Sequence, residues 1–162
     1  MIGAVVLDLD GILSEGAEAL VRVVAGHVPV VVATTEPARD VAALTDARPE
    51  LFEQVSSIVV GDPADCSTPG DLLEIVLESL GMAPGNVVAV LSSTEGVMDA
   101  RALGMPVMVL PDPRSPLPWQ VAAAGVPITP TPHHAAVALL RMLRTEGAIP
   151  LRWKLIRQLL PV

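Results

Sequence analysis

This sequence predicts a three-layer α/β fold, with a parallel sheet of about five strands and helices on both faces. Three observations carry the prediction. Short β-branched runs alternate along the chain with helical stretches of about ten residues, as a parallel sheet with crossover helices requires. The chain is 51% hydrophobic but only 2% aromatic. Its core must therefore come from Val, Leu, Ala and Ile, which suits strands buried on both faces. A length of 162 residues matches one domain of roughly 100–200 residues.

Gly3–Leu9 reads as a buried strand ended by Asp10-Gly11, and Glu15–Ala25 has helical spacing through Ala17, Leu20, Val21 and Val24. Val28–Ala33 is a second strand, followed by a helix from about Pro37 to Leu44; Val55–Val60 is a third strand, ended by Gly61-Asp62-Pro63. Thr68-Pro69-Gly70-Asp71 opens a helix, with Thr as N-cap, Pro at the first helical position and Asp placed to accept a backbone N–H. Gly81 stops it as a C′ glycine. Val87–Leu91 is a fourth strand, Glu95–Leu103 a helix closed by Gly104, and Val107–Leu110 a fifth strand. Ser92-x-x-Glu95 reads as the capping box of the helix after the fourth strand.

Pro111–Pro118 is too proline-rich for a helix. Thr131-Pro132 opens a helix over about His133–Arg144, whose adjacent histidines point about 100° apart and form a surface pair rather than a metal site. Residues 150–162 form a separate amphipathic helical segment after a core of residues 1–149. In it Leu151, Trp153, Leu155, Ile156, Leu159 and Leu160 share an apolar arc opposite Lys154 and Arg157. Such a segment packs on its own domain, on a partner or second copy, or on a membrane surface. Own-domain packing is the default.

The net charge of −8 opposes non-specific nucleic-acid binding. Arg152, Lys154 and Arg157 give the last eleven residues +3, leaving −11 on the rest, so anionic lipid would repel the body and membrane contact is not expected. No stretch approaches roughly 18 uninterrupted apolar residues, and Met1–Asp10 lacks a basic leader. Cys66 is the single cysteine, a plain thiol without a basic neighbour. These features lead us to expect a cytoplasmic protein.

In parallel sheets of this kind, ligands bind at the carboxyl ends of the strands. Asp8/Asp10, Thr34/Thr35 and Ser92/Ser93 fall at three such ends. Val5–Gly11 (VVLDLDG) resembles the first motif of the haloacid-dehalogenase-like (HAD) superfamily. There the first Asp attacks phosphorus and the second is the general acid/base, roles the resemblance carries to Asp8 and Asp10. The plainer reading makes them carboxylates that cap a turn. Val28–Pro37 resembles the second motif and puts Thr34 on the phosphoryl group; the plainer reading is a hydroxyl that caps the next helix. Ser67–Gly81 and Asn86–Met105 resemble the later motifs of the phosphoglucomutase- and dehalogenase-like branch, retaining Asp71, Leu80, Gly81, Ser93, Gly96, Ala100, Gly104 and Met105.

The resemblance covers about residues 3–110 and implies a Rossmann-like core. It also exposes losses. The family's lysine position falls on Ser67, or on Thr68 with a one-residue slip, and the implied phosphate contacts are Thr34 and Ser67. Its metal-binding Glu-Asp falls on Leu91 and Ser92, so the implied metal set is Asp8, Asp10 and Ser92. A serine hydroxyl is a poor Mg²⁺ ligand beside a carboxylate, so Mg²⁺ is expected to bind weakly or not at all. Asp62, Asp65, Glu95 and Asp99 are substitutes to consider for metal, and Arg39 and Arg101 for the lysine; each also reads as a solvated residue. Only Gly11–Ala33 separates the first two motifs, so no cap domain fits between them. The expectation is a catalytically impaired pseudo-phosphatase scaffold, acting through protein interaction, assembly as a homo-oligomer or phospho-ligand sensing. The alternative is an active capless phosphoric monoester hydrolase with an aspartyl-phosphate intermediate on Asp8.

Overall fold

The computed structural model describes residues 1–112, 121 and 124–145. Five strands, β1 (Ala4–Asp8), β2 (Val30–Thr34), β3 (Ser57–Val60), β4 (Val87–Leu91) and β5 (Val107–Val109), form one sheet in the order β3-β2-β1-β4-β5. Every pairing is parallel. Around it lie α1 (Leu9–Leu13), α2 (Ala17–Ala25), α3 (Ala38–Ala47), α4 (Pro49–Phe52), α5 (Pro69–Leu80), α6 (Thr94–Ala102) and α7 (Pro132–Thr145).

Strand side chains alternate between faces, and here both faces are apolar. Val5 and Leu7 of β1, Val30 and Val32 of β2, and Val88 and Val90 of β4 pack with α1, α2 and α7. The intervening Ala4, Val6, Val31, Ala33, Val87 and Ala89 pack beneath α5 and α6. Small branched residues on both faces let two helical layers approach the sheet, which explains a core in which Phe52 is the one buried aromatic among the described residues. Each fully buried Val contributes roughly 1.5–3 kcal/mol relative to leaving it exposed.

The helix-start motif at Thr68 forms as the sequence predicts. Thr68 Oγ1 accepts from the Asp71 N–H at 3.2 Å, and Asp71 Oδ2 accepts from the Thr68 N–H at 2.8 Å. Gly81 ends the helix at φ 61°, a left-handed conformation that favours glycine.

Other boundaries differ from the sequence reading. β1 ends at Asp8 rather than Leu9, because Asp8 itself caps α1. The next helix starts at Ala17, after Gly16 at φ 84°. The short α4 and a 3₁₀ turn at Pro84–Asn86 were not foreseen. Thr131 does open α7: its Oγ1 lies 2.8 Å from His134 Nδ1, and the two histidine rings meet edge-on at 6.1 Å.

The two sheet edges are treated differently. β5 is closed by a parallel bridge from Val109 to Ile128, with Thr129 Oγ1 donating to the Val109 carbonyl at 2.7 Å. β3 has only β2 beside it among the described residues. No described helix is long and apolar enough to cross a membrane. The segment 150–162 lies outside the described residues.

Candidate functional site

The chain runs outward from β1 through β2 to β3, then returns to place β4 on the other side of β1. That reversal opens a crevice at the carboxyl ends of β1 and β4, where ligands bind in sheets of this type. Asp8 ends β1 and Ser92 follows β4 directly.

The two residues are bonded to each other. Asp8 Oδ2 accepts from the Ser92 N–H and from the Ser92 hydroxyl, both at 2.6 Å. Asp8 Oδ1 accepts from the Gly11 N–H at 2.7 Å, which caps α1. A carboxylate offers about four acceptor positions, and three are used. Burial pushes the Asp8 carboxyl above its ordinary value near 3.8; the Ser92 and Gly11 donors pull it back and the neighbouring Asp10 charge pushes it further up.

Ser92 therefore does not cap the helix after β4. That cap is Ser93, whose Oγ accepts from the Gly96 N–H at 3.1 Å. Two adjacent serines both suit an N-cap, and Ser92 is withdrawn from the choice because its hydroxyl donates to Asp8.

A cleft of about 330 Å³ opens beside this bond. Asp10, Gly11, Ser14, Glu15, Ser92 and Asp112 are among its lining residues, and among the described residues no Lys, Arg or His lines it. Asp10 and Glu15 are exposed. Sequence reasoning missed Glu15 and Asp112; neither belongs to a motif, and only the fold brings them to the same mouth.

Asp8, Asp10 and Ser92 thus gather at one place, while the remaining sequence candidates do not line this cleft. Thr34 is buried at the end of β2, one residue past the Ala33 that pairs with Asp8. Its Oγ1 accepts from the Glu36 N–H at 3.0 Å, forming a turn rather than capping α3, whose N-cap is Pro37. Ser67 is exposed, just before the Thr68 cap.

The considered substitutes have local occupations. Asp62 Oδ1 accepts from the Ala64 N–H at 2.8 Å, and Asp99 Oδ2 accepts from the Gly70 N–H at 2.9 Å at the start of α5. Asp65, Glu95 and Arg101 are exposed, and Arg39 pairs with Asp40 at the surface. Cys66 is buried, and burial first, then the Asp71, Asp65 and Asp62 charges, push its thiol pKa up. That is the opposite of a reactive thiol.

No family model matches the sequence, and no curated protein does. Solved structures do match. A D,D-heptose 1,7-bisphosphate phosphatase from B. bronchiseptica, complexed with magnesium and phosphate, superposes with TM-score 0.68 at 16% identity, covering 87% of this chain and 99% of that one. A haloacid dehalogenase-like family hydrolase from Streptococcus pneumoniae gives TM-score 0.65 at 12% identity, covering 85% and 98%. The chain has the haloacid-dehalogenase-like fold. A putative β-phosphoglucomutase from Thermotoga maritima also gives TM-score 0.65, at 21% identity, covering 80% of this chain but 60% of its own. In this chain's haloacid-dehalogenase-like frame, the segment between β1 and β2 holds only α1 and α2, with no inserted cap domain.

Proposed function

We propose that this chain is a haloacid-dehalogenase-like pseudo-phosphatase, a scaffold that binds through the mouth at Asp8 rather than turning phosphate esters over. The carrying observation is the Asp8–Ser92 bond. Each Asp8 oxygen already holds a protein donor, which ties the carboxylate to α1 and to the end of β4 and leaves about one of its four acceptor positions, on Oδ1, for an ion or a substrate.

The magnesium in the B. bronchiseptica structure makes Mg²⁺ the ion to test. Mg²⁺ is usually held by one or two carboxylates, waters and substrate oxygens. Here the residues fit it poorly. Ser92 directs its hydroxyl proton at Asp8, and among the described residues no group of three His, Cys, Asp or Glu side chains could hold an ion. Phosphorylated ligands or a protein partner are the proposed occupants of the mouth.

The competing reading, a capless Mg²⁺-dependent phosphohydrolase acting through Asp8, draws support from Asp10 and Ser92 lining the same cleft. Assay of p-nitrophenyl phosphate and a phosphosugar panel with Mg²⁺, beside thermal melts with each ligand, separates the two. Stabilisation by a phosphorylated ligand without hydrolysis is expected. Turnover abolished by Asp8→Asn would sink the pseudo-phosphatase reading; no turnover together with no Mg²⁺-dependent melting shift would sink the hydrolase.

A further inference from the structure

Charges are sorted along this chain. From Pro49 to Ala100 there is no Lys, Arg or His, and nine of the 18 acidic residues fall there. That stretch forms α4, β3, α5, β4 and most of α6, so α4 and α5 carry carboxylates and no cation, while Arg101 falls in the last turn of α6 and Arg39 on α3. The last twelve residues are the reverse. They hold Arg152, Lys154 and Arg157, no Asp or Glu, and an apolar set that includes Leu151, Trp153 and Leu155.

Where α4 leads into β3, an apolar rim meets the negative field. Leu44, Val55 and Ile58 pack against the core on the α2 side but are only partly covered. Glu50 and Glu53, in and just after α4, are exposed. β3 has no proline and no charged side chain to blunt it, and Val60 is 40% exposed. A bare apolar edge strand invites unwanted pairing, and folds commonly cover one with a helix or loop. The β5 edge already has its cover. Nearby cations do not neutralise the rim, because Arg48 is committed to Glu18 and the Leu13 carbonyl, and Arg39 pairs with Asp40.

We propose that residues 151–160 of the same chain cover this rim. Leu151, Leu155 and Leu159, which share one helical face, lie against Leu44, Val55 and Ile58, and Lys154, at the border of that face, sits among the carboxylates of Glu50 and Glu53. The reach is sufficient. α2 packs against both α7 and α4, so α4 lies two helix spacings, about 16–20 Å, from α7. The five residues from Thr145 to Pro150 span up to about 17 Å when extended, and a helix from Pro150 to Lys154 adds about 6 Å. This docking is independent of whether Asp8 supports turnover.

Lys154 is the only lysine in the chain, so a carbodiimide cross-link can start only there or at the N-terminal amine. Full-length protein is cross-linked at low ionic strength and the monomer fraction is mapped by mass spectrometry. The expected product joins Lys154 to Glu50 or Glu53 and is lost in the Glu50→Gln/Glu53→Gln variant. Hydrogen exchange over residues 55–60 is expected to rise several-fold in Leu155→Asp. Lys154 joined to carboxylates elsewhere, absent from any monomer cross-link, or found only in a dimer would overturn the assignment, the last giving the rim to a second copy. Unchanged exchange at residues 55–60 in Leu155→Asp would overturn it as well.

Discussion

Replacing Asp8 with alanine distinguishes a carboxylate kept for chemistry from one that joins β1, α1 and β4. The substitution removes the side-chain cap of α1, a loss of about 0.5–2 kcal/mol. It also strands the Ser92 N–H and hydroxyl, which both point at Asp8 Oδ2 from 2.6 Å; a buried donor left without an acceptor costs about 1–3 kcal/mol, and half-buried Ser92, at the cleft where water reaches it, stands at the low end of that range. Relief of the buried charge offsets part of this, because burial already disfavours the ionised form of Asp8. A net destabilisation of about 1–3 kcal/mol is expected, within the usual range for a broken buried network. In urea, with a slope of about 1–3 kcal/mol per molar, the midpoint falls by about 1 M. Ser92→Ala removes only the hydroxyl donor, and the double variant is expected to show a coupling of about 0.5–3 kcal/mol. A carboxylate held for catalysis alone behaves oppositely, since its removal commonly leaves stability unchanged or improved. An Asp8→Ala midpoint at or above the parent's, or additive Asp8 and Ser92 effects, would refute the reasoning.

The raised Asp8 pKa sets a pH dependence. The folded state binds the Asp8 proton more tightly than the unfolded state does, so its stability contribution is full below the ordinary value near 3.8 and is lost as pH rises through the folded value. The advantage of the parent over Asp8→Asn, followed by urea midpoints from pH 3.5 to 8, should shrink as pH rises; an advantage that grows would contradict the burial argument. At Gly61, an added Cβ would sit 2.6 Å from Cys66 Sγ and 2.8 Å from Leu72 Cδ1. Gly61→Ala should therefore cost about 1–3 kcal/mol by overpacking, and a thermal melt unchanged from the parent would show that this corner yields freely.

Much of the fold is legible in the sequence because the interactions that define it are local. Thr68 and Asp71 exchange their two bonds over three residues, and Gly81 supplies the left-handed residue that ends the same helix. The alternation of Val and Ala in β1, β2 and β4 records two buried faces. The end of β1 was misread because Leu9 continues the apolar run, while the bond from the Gly11 N–H to Asp8 turns the chain into α1. The short α4 has no side-chain cap to announce it.

The site divides along the same line. The strand ends were readable, since Asp8 and Thr34 end β1 and β2 and Ser92 follows β4. The condition of the site was not. Ser92 reaches Asp8 across 84 residues of chain, and Glu15 and Asp112 join the mouth only because strand order brings them there. The sequence by itself determined the elements, their parallel class and the address of the crevice, because periodicity and capping act within a few residues. Tertiary structure alone decided that Ser92 bonds Asp8, that Ser93 caps the helix instead, and that Asp10, Glu15 and Asp112 line one cleft. Those outcomes depend on which strand ends become neighbours, and no local pattern encodes that.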